Sequence, residues 1–393
     1  MTRSTDLSGL DRELQTGGAH YPVRIRGGDR AWDELVRELT ALDADRYVVL
    51  TDGDTPAGLL SRIPAQVLRI PGTAGLQTVE RLAEQLLRTG ATRRTVVLAV
   101  GGDRTGGVAG LLAGLLFNGL RLVHLPTTLS AMCGSALSLR QVLPSAVLGT
   151  HYPPELVWCQ LDLLRERPPD ELRADLARLI GSMLAVCPAG YDRVAALLDP
   201  RARYRPGELA SFVALCADAR AAVTVHDPQE RGPGRALEYG RAVGRAIRLL
   251  TGDTLRQGHC DGLGMLAAAR TAVHLGLLDR DGERAHRELL RRNGSPGTLP
   301  HGVDPAGLPA AFQLAAARAG EPGLVLLDGL GRPHVSDGSL LTRVAPDALH
   351  AGLAALRPAA AGSGAGPGAT VPGPAPAPTA APTAAPERAA VRR

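Results

Sequence analysis

The segment Thr95–Val100 is an unbroken apolar run of strand length that leads directly into the glycine-rich turn GGDRTGG, residues 101–107. A helical pattern follows from Val108 to Phe117, and a second strand-like run, Arg121–Leu125, ends at Pro126. A strand, a glycine turn, a helix and a second strand in this order are typical of a βαβ unit, in which the two strands run parallel. The sequence therefore predicts an α/β fold built on a parallel sheet.

The rest of the chain divides into two kinds of pattern. Tyr47–Leu50 is a short apolar run before the turn sequence TDGD, and Gln77–Arg88 has apolar residues at helical spacing. Further along, helical patterns dominate, over residues 169–186, 206–223, 235–250, 262–277 and 281–293. We expect a Rossmann-like sheet domain in residues 1–153 and a mostly α-helical domain in residues 154–358, with a ligand cleft between them.

The last segment of the chain has a different composition. Residues 359–393 are rich in Ala, Pro, Gly and Thr and contain nothing large to bury. Such a segment cannot gain enough from burial to offset the entropy of ordering. We predict a disordered tail.

The basic residues are all arginine, since the 44 cationic side chains include no lysine. This excludes a Schiff-base lysine, an amine general base and a Walker-type phosphate lysine. The 39 acidic residues leave a formal charge of +5. That charge is too small to indicate a nucleic-acid partner.

Cysteine usage and hydropathy indicate a cytoplasmic protein. The five cysteines are scattered and contain no CxxC pair, which argues against a disulfide framework and a structural zinc site. The polar N-terminal sequence does not resemble a targeting peptide, and the apolar runs are shorter than a membrane span. We expect no membrane partner.

The glycine turn is a candidate dinucleotide site. Gly101 and Gly102 stand where a strand meets a helix, and glycines there let the backbone approach a pyrophosphate. Asp52, at the end of the preceding strand, is a candidate acceptor for a ribose hydroxyl. The spacing differs from GxGxxG, so a plain tight turn and a surface aspartate remain open as alternatives.

Six separated segments between Tyr47 and Leu278 carry a family resemblance: RLVHLPTTL, SALSLRQ, PPELVW, RPPDELR, RALEYG and GLGMLAAA. They resemble the sugar-phosphate cyclase family, which includes 3-dehydroquinate synthase and the 2-deoxy-scyllo-inosose synthases of aminocyclitol antibiotic pathways. The resemblance implies an NAD-binding domain followed by a helical domain for metal and phosphate, usually in a homodimer. It also implies oxidation of a sugar-phosphate hydroxyl by NAD, phosphate elimination, reduction of the ketone and an aldol ring closure, with Zn²⁺ or Co²⁺ as Lewis acid.

The resemblance also shows where this sequence departs from the family's metal site. It places the family's ligands, one Glu and two His, at Arg178, Arg241 and Gln257. Arginine has no lone pair available to a metal, and Zn²⁺ prefers Cys, His and carboxylate to an amide. We therefore expect that Zn²⁺ or Co²⁺ does not bind, although His259 or Asp261 could replace one lost ligand.

Positions of the family's catalytic groups differ as well. Gly181 and Arg140 stand where the family has lysines, and Arg245 replaces a second histidine. Other positions match the family's contacts to NAD or to the substrate phosphate: Asp52, Gly101, Gly102, Thr127, Thr128, Glu171 and Arg235. Each match is either a retained contact or an inherited part of the scaffold.

The arginines at the lost positions allow two interpretations. In the first, Arg178, Arg241 and Arg245 are the result of neutral drift and pair with acids such as Asp175 or Glu238. In the second, they form an anion site together with Arg235 and hold a phosphate or carboxylate bidentately. A nucleophile drawn from the adjacent His259, Cys260 and Asp261 is a further alternative.

Three hypotheses of function follow. The chain is an inactive or non-cyclase homologue that acts as a partner, as a homodimer or as a heterodimer with an active cyclase, in aminocyclitol or other secondary metabolism. Alternatively, it is a repurposed NAD-dependent or anion-binding enzyme acting on a sugar phosphate. In the third, it is an active cyclase, a carbon–oxygen lyase, whose metal is held in an unanticipated way.

Overall fold

The centre of the protein is a twisted sheet that extends over most of the N-terminal half. The computed structural model describes residues 9–143, 148–320, 322–354 and 356–357. The predicted disordered tail, residues 359–393, lies outside this described part, as do residues 144–147 of the loop before residue 149.

The strands, in chain order, are β1 (Leu10–Thr16), β2 (Ala19–Arg26), β3 (Arg46–Thr51), β4 (Ala65–Arg69), β5 (Thr95–Gly101), β6 (Arg121–Pro126), β7 (Arg140–Val142), β8 (Gly149–His151), β9 (Leu156–Gln160), β10 (Leu327–Gly329) and β11 (Arg332–Pro333). The helices are α1 (Arg30–Ala41), α2 (Ala57–Leu60), α3 (Leu76–Arg88), α4 (Asp103–Leu115), α5 (Leu129–Met132), α6 (Pro169–Asp175), α7 (Ala177–Ala185), α8 (Tyr191–Leu197), α9 (Pro206–Thr224), α10 (Arg241–Thr251), α11 (Gln257–His274), α12 (Arg280–Arg292), α13 (Leu308–Ala319) and α14 (Pro346–Ala354).

Within the described residues, seven strands form the main sheet in the order β1-β2-β9-β6-β5-β3-β4. All neighbours pair in parallel except the hairpin of β1 and β2. Every residue of β5 is buried, because helices cover both faces of the sheet. Trp32 and Leu35 of α1 pack on one face, and Leu82 of α3 and Leu112 of α4 pack on the other. This confirms the predicted Rossmann-like parallel sheet.

The C-terminal half is mostly helical, as predicted. α7, α9, α10 and α11 share one apolar core that also includes residues of β1, β2 and β9. The strand β9 follows the predicted boundary between residues 153 and 154 and nevertheless lies inside the sheet. The sheet itself therefore extends to Gln160.

Two of the predicted helices are divided. The pattern over residues 169–186 folds as α6 and α7, with Leu176 between them. The pattern over residues 235–250 breaks at Gly240, which has a left-handed φ of +81°. A Cβ at Gly240 would lie 2.7 Å from the backbone oxygen of Asp261. Both the left-handed φ and this close approach require glycine at position 240. The helix α10 begins directly after it, at Arg241.

In the described part of the chain, no helix is long and apolar enough to cross a membrane.

Candidate functional site

Two adjoining clefts open where the carboxyl ends of β3, β5 and β6 face helices α7, α10 and α11. The first, which we call the arginine cleft, has a volume of about 330 Å³ and is lined by residues of α4, β7, α7 and α10. The second, the α11 cleft, has a volume of about 680 Å³ and is lined by residues of α6 and the start of α11. Asp103, Arg178 and Arg241 line both clefts, so these three side chains stand at the boundary between them.

The residues predicted to contact NAD do lie together. Gly101 ends β5 and Gly102 is the N-cap of α4. The Thr127 backbone N–H donates to the Gly101 carbonyl over 3.0 Å. The Thr128 side chain accepts from the Ala131 N–H, so it caps α5. The predicted positions are thus adjacent, and the threonines have structural roles in the turn after β6.

The predicted ribose acceptor is already engaged. Asp52 follows β3, and its Oδ2 accepts from Nη2 of Arg104 at 2.6 Å and from Nε at 3.1 Å. Burial would raise the pKa of Asp52, but the nearby Thr105 hydroxyl and the hydrogen bonds and charge of Arg104 lower it. Nη1 of the same guanidinium donates to the Gly72 carbonyl over 2.6 Å. Arg104 therefore joins the ends of β3 and the loop after β4.

Asp103, which the sequence analysis did not single out, is the most connected group at the boundary between the clefts. Its carboxylate accepts from Arg178 Nη2 at 2.9 Å, from Ser135 Oγ at 2.5 Å and from Ser130 Oγ at 3.3 Å. Burial would raise the pKa of Asp103, but the charge of Arg178 and the bond from Ser135 lower it. The sequence signal that could have identified Asp103 is its place: it follows two glycines, precedes an arginine and begins a helix.

The positions assigned to the metal ligands hold groups that are each bonded to a nearby acid. Arg178 pairs with Asp103, where Asp175 had been suggested as its partner. Arg241 pairs with Glu238 at 2.6 Å, as the first interpretation predicted. Gln257 donates to Asp261 Oδ1 over 2.7 Å. Among the described residues, no group of three or more His, Cys, Asp or Glu side chains is arranged to hold a metal ion.

Two glycines of the site lie close to larger side chains. A Cβ at Gly134 would lie 2.6 Å from Cδ of Arg178, so the arginine extends across this glycine. A Cβ at Gly181, the position that the resemblance assigns to a lysine, would lie 3.0 Å from Cε of Met265. The volume beside Gly181 is thus partly filled by an apolar side chain from α11.

His259, Cys260 and Asp261 do not form a nucleophilic constellation. His259 Nε2 contacts Asp170 Oδ1 at 3.1 Å, and Asp261 accepts from Gln257. The Cys260 thiol lies near Thr251 and the Leu255 carbonyl, and burial raises its pKa to about 11. Because a thiol with this pKa is protonated at neutral pH, it is a poor nucleophile.

Three of the arginines predicted to form the site surround the carboxylate of Glu238. Besides the bond from Arg241, its oxygens lie 3.6 Å from Nη1 of Arg245 and 3.8 Å from Nη1 of Arg140. Burial would raise the pKa of Glu238, but the charges of Arg241, Arg140, Arg245 and Arg178 outweigh it and lower the pKa to about 2. Three of the predicted site arginines therefore share one internal counter-ion.

A second carboxylate anchors the other side of the arginine cleft. Glu230 accepts from Arg220 and, over 2.6 Å, from Ser138 Oγ. Its other oxygen lies 3.8 Å from Nη1 of Arg140. Arg140 therefore lies between Glu230 and Glu238, at the β7 end of the cleft.

The remaining predicted residues are divided between the clefts and their surroundings. Glu171 lines the α11 cleft and accepts from Arg167 at 2.8 Å. Arg235 does not line the arginine cleft; it lines a small adjoining cavity that shares Glu238 and Arg245 with the cleft, and its Nε donates to the Arg231 carbonyl. Arg178, Arg241 and Arg245 are brought together in the arginine cleft as the anion-site interpretation requires, whereas Arg235 is next to Arg245 in the adjoining cavity.

The local charge of the arginine cleft is strongly positive. Its described lining includes six arginines and three carboxylates. The Nε atoms of Arg241 and Arg245 are buried and have no hydrogen-bond partner among the described residues. Buried donors of this kind cost free energy unless a ligand or water satisfies them. The arrangement can therefore accept an anion.

Comparisons with known proteins identify the scaffold. Residues 72–174 match the 3-dehydroquinate synthase N-terminal family and residues 190–314 its C-terminal family. The 2-deoxy-scyllo-inosose synthase of Streptoalloteichus tenebrarius is 38% identical over 86% of this chain and 92% of the relative. That of Micromonospora echinospora is 36% identical over 85% and 89%.

A solved structure agrees with these sequence matches. The crystal structure of a 2-deoxy-scyllo-inosose synthase in complex with carbaglucose-6-phosphate, NAD⁺ and Co²⁺ superimposes with a TM-score of 0.81 at 28% identity. The superposition covers 88% of this chain and 99% of that one. The chain belongs to the 3-dehydroquinate synthase family of sugar-phosphate cyclases, with 2-deoxy-scyllo-inosose synthases among its relatives.

Proposed function

We propose that this protein binds a small phosphorylated or carboxylated molecule, most simply a sugar phosphate, in the arginine cleft, and that it does not carry out the metal-dependent cyclisation of its family. The single observation that carries this proposal is the cluster of Arg140, Arg241 and Arg245 around Glu238. Three guanidinium groups around one carboxylate leave positive charge and donors for a second anion.

Burial supports the same conclusion. The side chains of Arg241 and Arg245 are 30% and 31% exposed, so each guanidinium is mostly enclosed but still open to the cleft. An anion bound there is attracted more strongly than at an open surface, because less water screens the charges. A relative binds carbaglucose-6-phosphate, which is a molecule of the proposed class.

Ligand chemistry argues against the family's metal at this site. Arg178 and Arg241 are cations without a lone pair for a metal, and they would repel a divalent ion. Asp103, Glu238 and Asp261, which could supply oxygen ligands, are already engaged by Arg178, Arg241 and Gln257. The donor set does not fit Zn²⁺ or Co²⁺, and we derive no reaction step through a metal.

A partner role rests on the resemblance alone. A homodimer, or a heterodimer with an active cyclase, stays a prediction, as do a place in aminocyclitol or other secondary metabolism and a cytoplasmic location. The copurifying proteins and the mass in solution, compared with the 40.9 kDa of one chain, would test the assembly.

Calorimetric titration with glucose 6-phosphate tests the proposed function. We expect saturable binding by the protein and at least about tenfold weaker binding by Arg241→Gln, because the variant loses one cation from a mostly enclosed cluster. Arg291→Gln removes an arginine from an exposed site on α12 and should bind like the parent. Glucose serves as the uncharged ligand.

The contrary outcome is equally measurable. Absence of binding at millimolar glucose 6-phosphate would contradict the proposal. So would stoichiometric zinc in the purified protein together with release of inorganic phosphate from glucose 6-phosphate, because those results would make the chain an active cyclase.

A further inference from the structure

We propose that Asp103 and Arg104, consecutive residues in the first turn of α4, close the dinucleotide crevice of this fold from within, so that the chain takes neither NAD nor NADP. This inference goes beyond the proposed function. It concerns the crevice at the ends of β3, β5 and β6, whereas anion binding depends on Arg140, Arg241 and Arg245.

The general requirements of a dinucleotide site locate the crevice. In doubly wound sheets a dinucleotide lies across the carboxyl ends of the strands, with its pyrophosphate at the N-terminus of the helix after a glycine turn. A carboxylate at the end of a neighbouring strand accepts the ribose hydroxyls. In this chain the turn is Gly101–Gly102, the helix is α4 and the carboxylate is Asp52. The scaffold therefore offers a crevice in the expected place.

Asp103 places a negative charge at the pyrophosphate position. It is the first residue of α4, directly after the N-cap Gly102. Its side chain is 43% exposed, so the charge faces the cleft. A pyrophosphate carries two negative charges at neutral pH, and a carboxylate in the first turn of the helix already takes the favourable end of the helix dipole and opposes a second anion there.

The neighbours of Asp103 hold its carboxylate in position. Ser135 Oγ and Arg178 Nη2 donate to its two different oxygens, at 2.5 Å and 2.9 Å. Arg178, a cation that could otherwise attract a phosphate to the turn, also donates to Ser130 Oγ over 2.9 Å. The same contacts thus fix the carboxylate beside the turn and pair it with the nearest cation, so that the pair supplies no net positive charge for a pyrophosphate.

Arg104 occupies the ribose side of the crevice. Its guanidinium makes two hydrogen bonds to Asp52 and one to the Gly72 carbonyl. Asp52 follows β3 and Gly72 follows the neighbouring strand β4. The Arg104 side chain therefore extends from the start of α4 across the end of β3. A ribose would have to displace a charge-assisted pair to reach Asp52. Both halves of the crevice are therefore taken by residues of the chain itself.

Fluorescence titration with NADH and NADPH tests the proposal on the full-length protein. We compare the parent with Asp103→Asn, Arg104→Ala and the double variant Asp103→Gly/Arg104→Ala. Including NADPH matters because an arginine near the ribose accommodates a 2′-phosphate in NADP-binding proteins. Asp170→Asn, which removes an ion-paired carboxylate from the α11 cleft but not from the turn, is the matched charge control.

We expect no saturable binding of either nucleotide to the parent or to Asp170→Asn. The double variant should bind NADH saturably, at least about tenfold more tightly than the detection limit set for the parent, since it loses the like charge and frees Asp52. Thermal unfolding of each variant establishes that it is folded. If Asp103→Gly unfolds the chain, Asp103→Asn, which removes the charge but keeps the size of the side chain and one accepting oxygen, gives the comparison.

Either of two results would overturn the inference. One is saturable binding of NADH or NADPH to the parent protein. The other is a folded double variant that still does not bind, because the crevice would then be closed by something else. The parent protein is titrated with glucose 6-phosphate in a separate experiment. That titration tests the proposed function and the nucleotide titrations test this inference, so the two failures are distinguishable.

Discussion

At the scale of single residues, the carboxylate of Glu238 compensates part of the positive charge of the arginine cleft. Its side chain is only 21% exposed, and its charge is compensated by Arg241, Arg245 and Arg140. A carboxylate left alone in such a place would have a raised pKa, whereas the arginines lower it to about 2. Glu238 is therefore both a structural counter-ion and a competitor of any anion that enters the cleft.

Glu238→Gln should lower the stability of the protein and raise its affinity for anions. The pKa of Glu238 falls from 4.5 to about 2 on folding, which corresponds to about 3 kcal/mol of stability at neutral pH. Because the folded pKa is depressed, this contribution is present above pH 4.5 and is lost as the pH falls through about 2. Urea unfolding of parent and variant from pH 7 to pH 2 measures it.

A control variant and a phosphate titration distinguish loss of the Glu238 charge from a general loss of stability. Glu288→Gln removes a more exposed carboxylate from α12, where Arg291 and Arg292 pair with it, and should have a much smaller effect. Inorganic phosphate should stabilise Glu238→Gln more than the parent, since it replaces the lost counter-ion. Equal stabilisation of both proteins by phosphate would contradict the role given to Glu238.

At the scale of elements, the close contact of α10 and α11 sets the position of the arginines. The two helices approach so closely that a Cβ at Gly264 would lie 2.0 Å from the Gly240 carbonyl oxygen and 2.8 Å from the Gly244 nitrogen. Arg241 and Arg245 lie on α10, and Gln257 and Asp261 lie on α11. The spacing of these helices thus determines which side chains of the site can meet.

Gly264→Ala should destabilise the fold and weaken binding in the arginine cleft. The added methyl group contacts backbone, which cannot rotate away as a side chain can, so α10 must move at a cost of about 1–3 kcal/mol. Gly297→Ala adds a methyl group where the structure has open space. Urea unfolding and glucose 6-phosphate titration should separate the two variants; identical behaviour would show that α10 and α11 tolerate a wider spacing.

At the scale of the whole molecule, charge is distributed unevenly. The chain has a formal charge of +5, while the arginine cleft alone has six arginines against three carboxylates among its described lining residues. A concave, positively charged surface raises the local concentration of anions around it. The cleft is therefore the place where the modest excess of positive charge has the greatest effect.

Binding of glucose 6-phosphate should weaken several-fold as the ionic strength rises from about 0.01 M to about 0.1 M. Over that range the Debye length falls from about 30 Å to about 10 Å, which screens the attraction between cleft and ligand. Calorimetry at several concentrations of sodium chloride measures the dependence. An affinity independent of salt would indicate that the arginines do not supply the attraction.

Local sequence was sufficient to predict much of the fold. The apolar run before Gly101–Gly102 folds as β5, the patterns at residues 77–88 and 206–223 fold as α3 and α9, and the six family segments identify the scaffold. The hairpin of β1 and β2 was not predicted, nor was the membership of β9 in the sheet. The hairpin is a local feature, two alternating segments joined at Gly17–Gly18, so its signal was present in the sequence. β9 pairs with β2 and β6, which are distant in sequence, and local patterns do not record such neighbours.

The sequence by itself determined which chemical groups the site contains: no lysine, and arginine or glutamine at the positions that the resemblance assigns to the family's metal ligands. Only the tertiary structure decided how those groups are used. It brought Asp103 to Arg178, Arg104 to Asp52 and Glu238 to three arginines. The physical reason is that charge pairing depends on distances between atoms of separate elements, set by the packing of α4, α7 and α10 around the ends of the sheet.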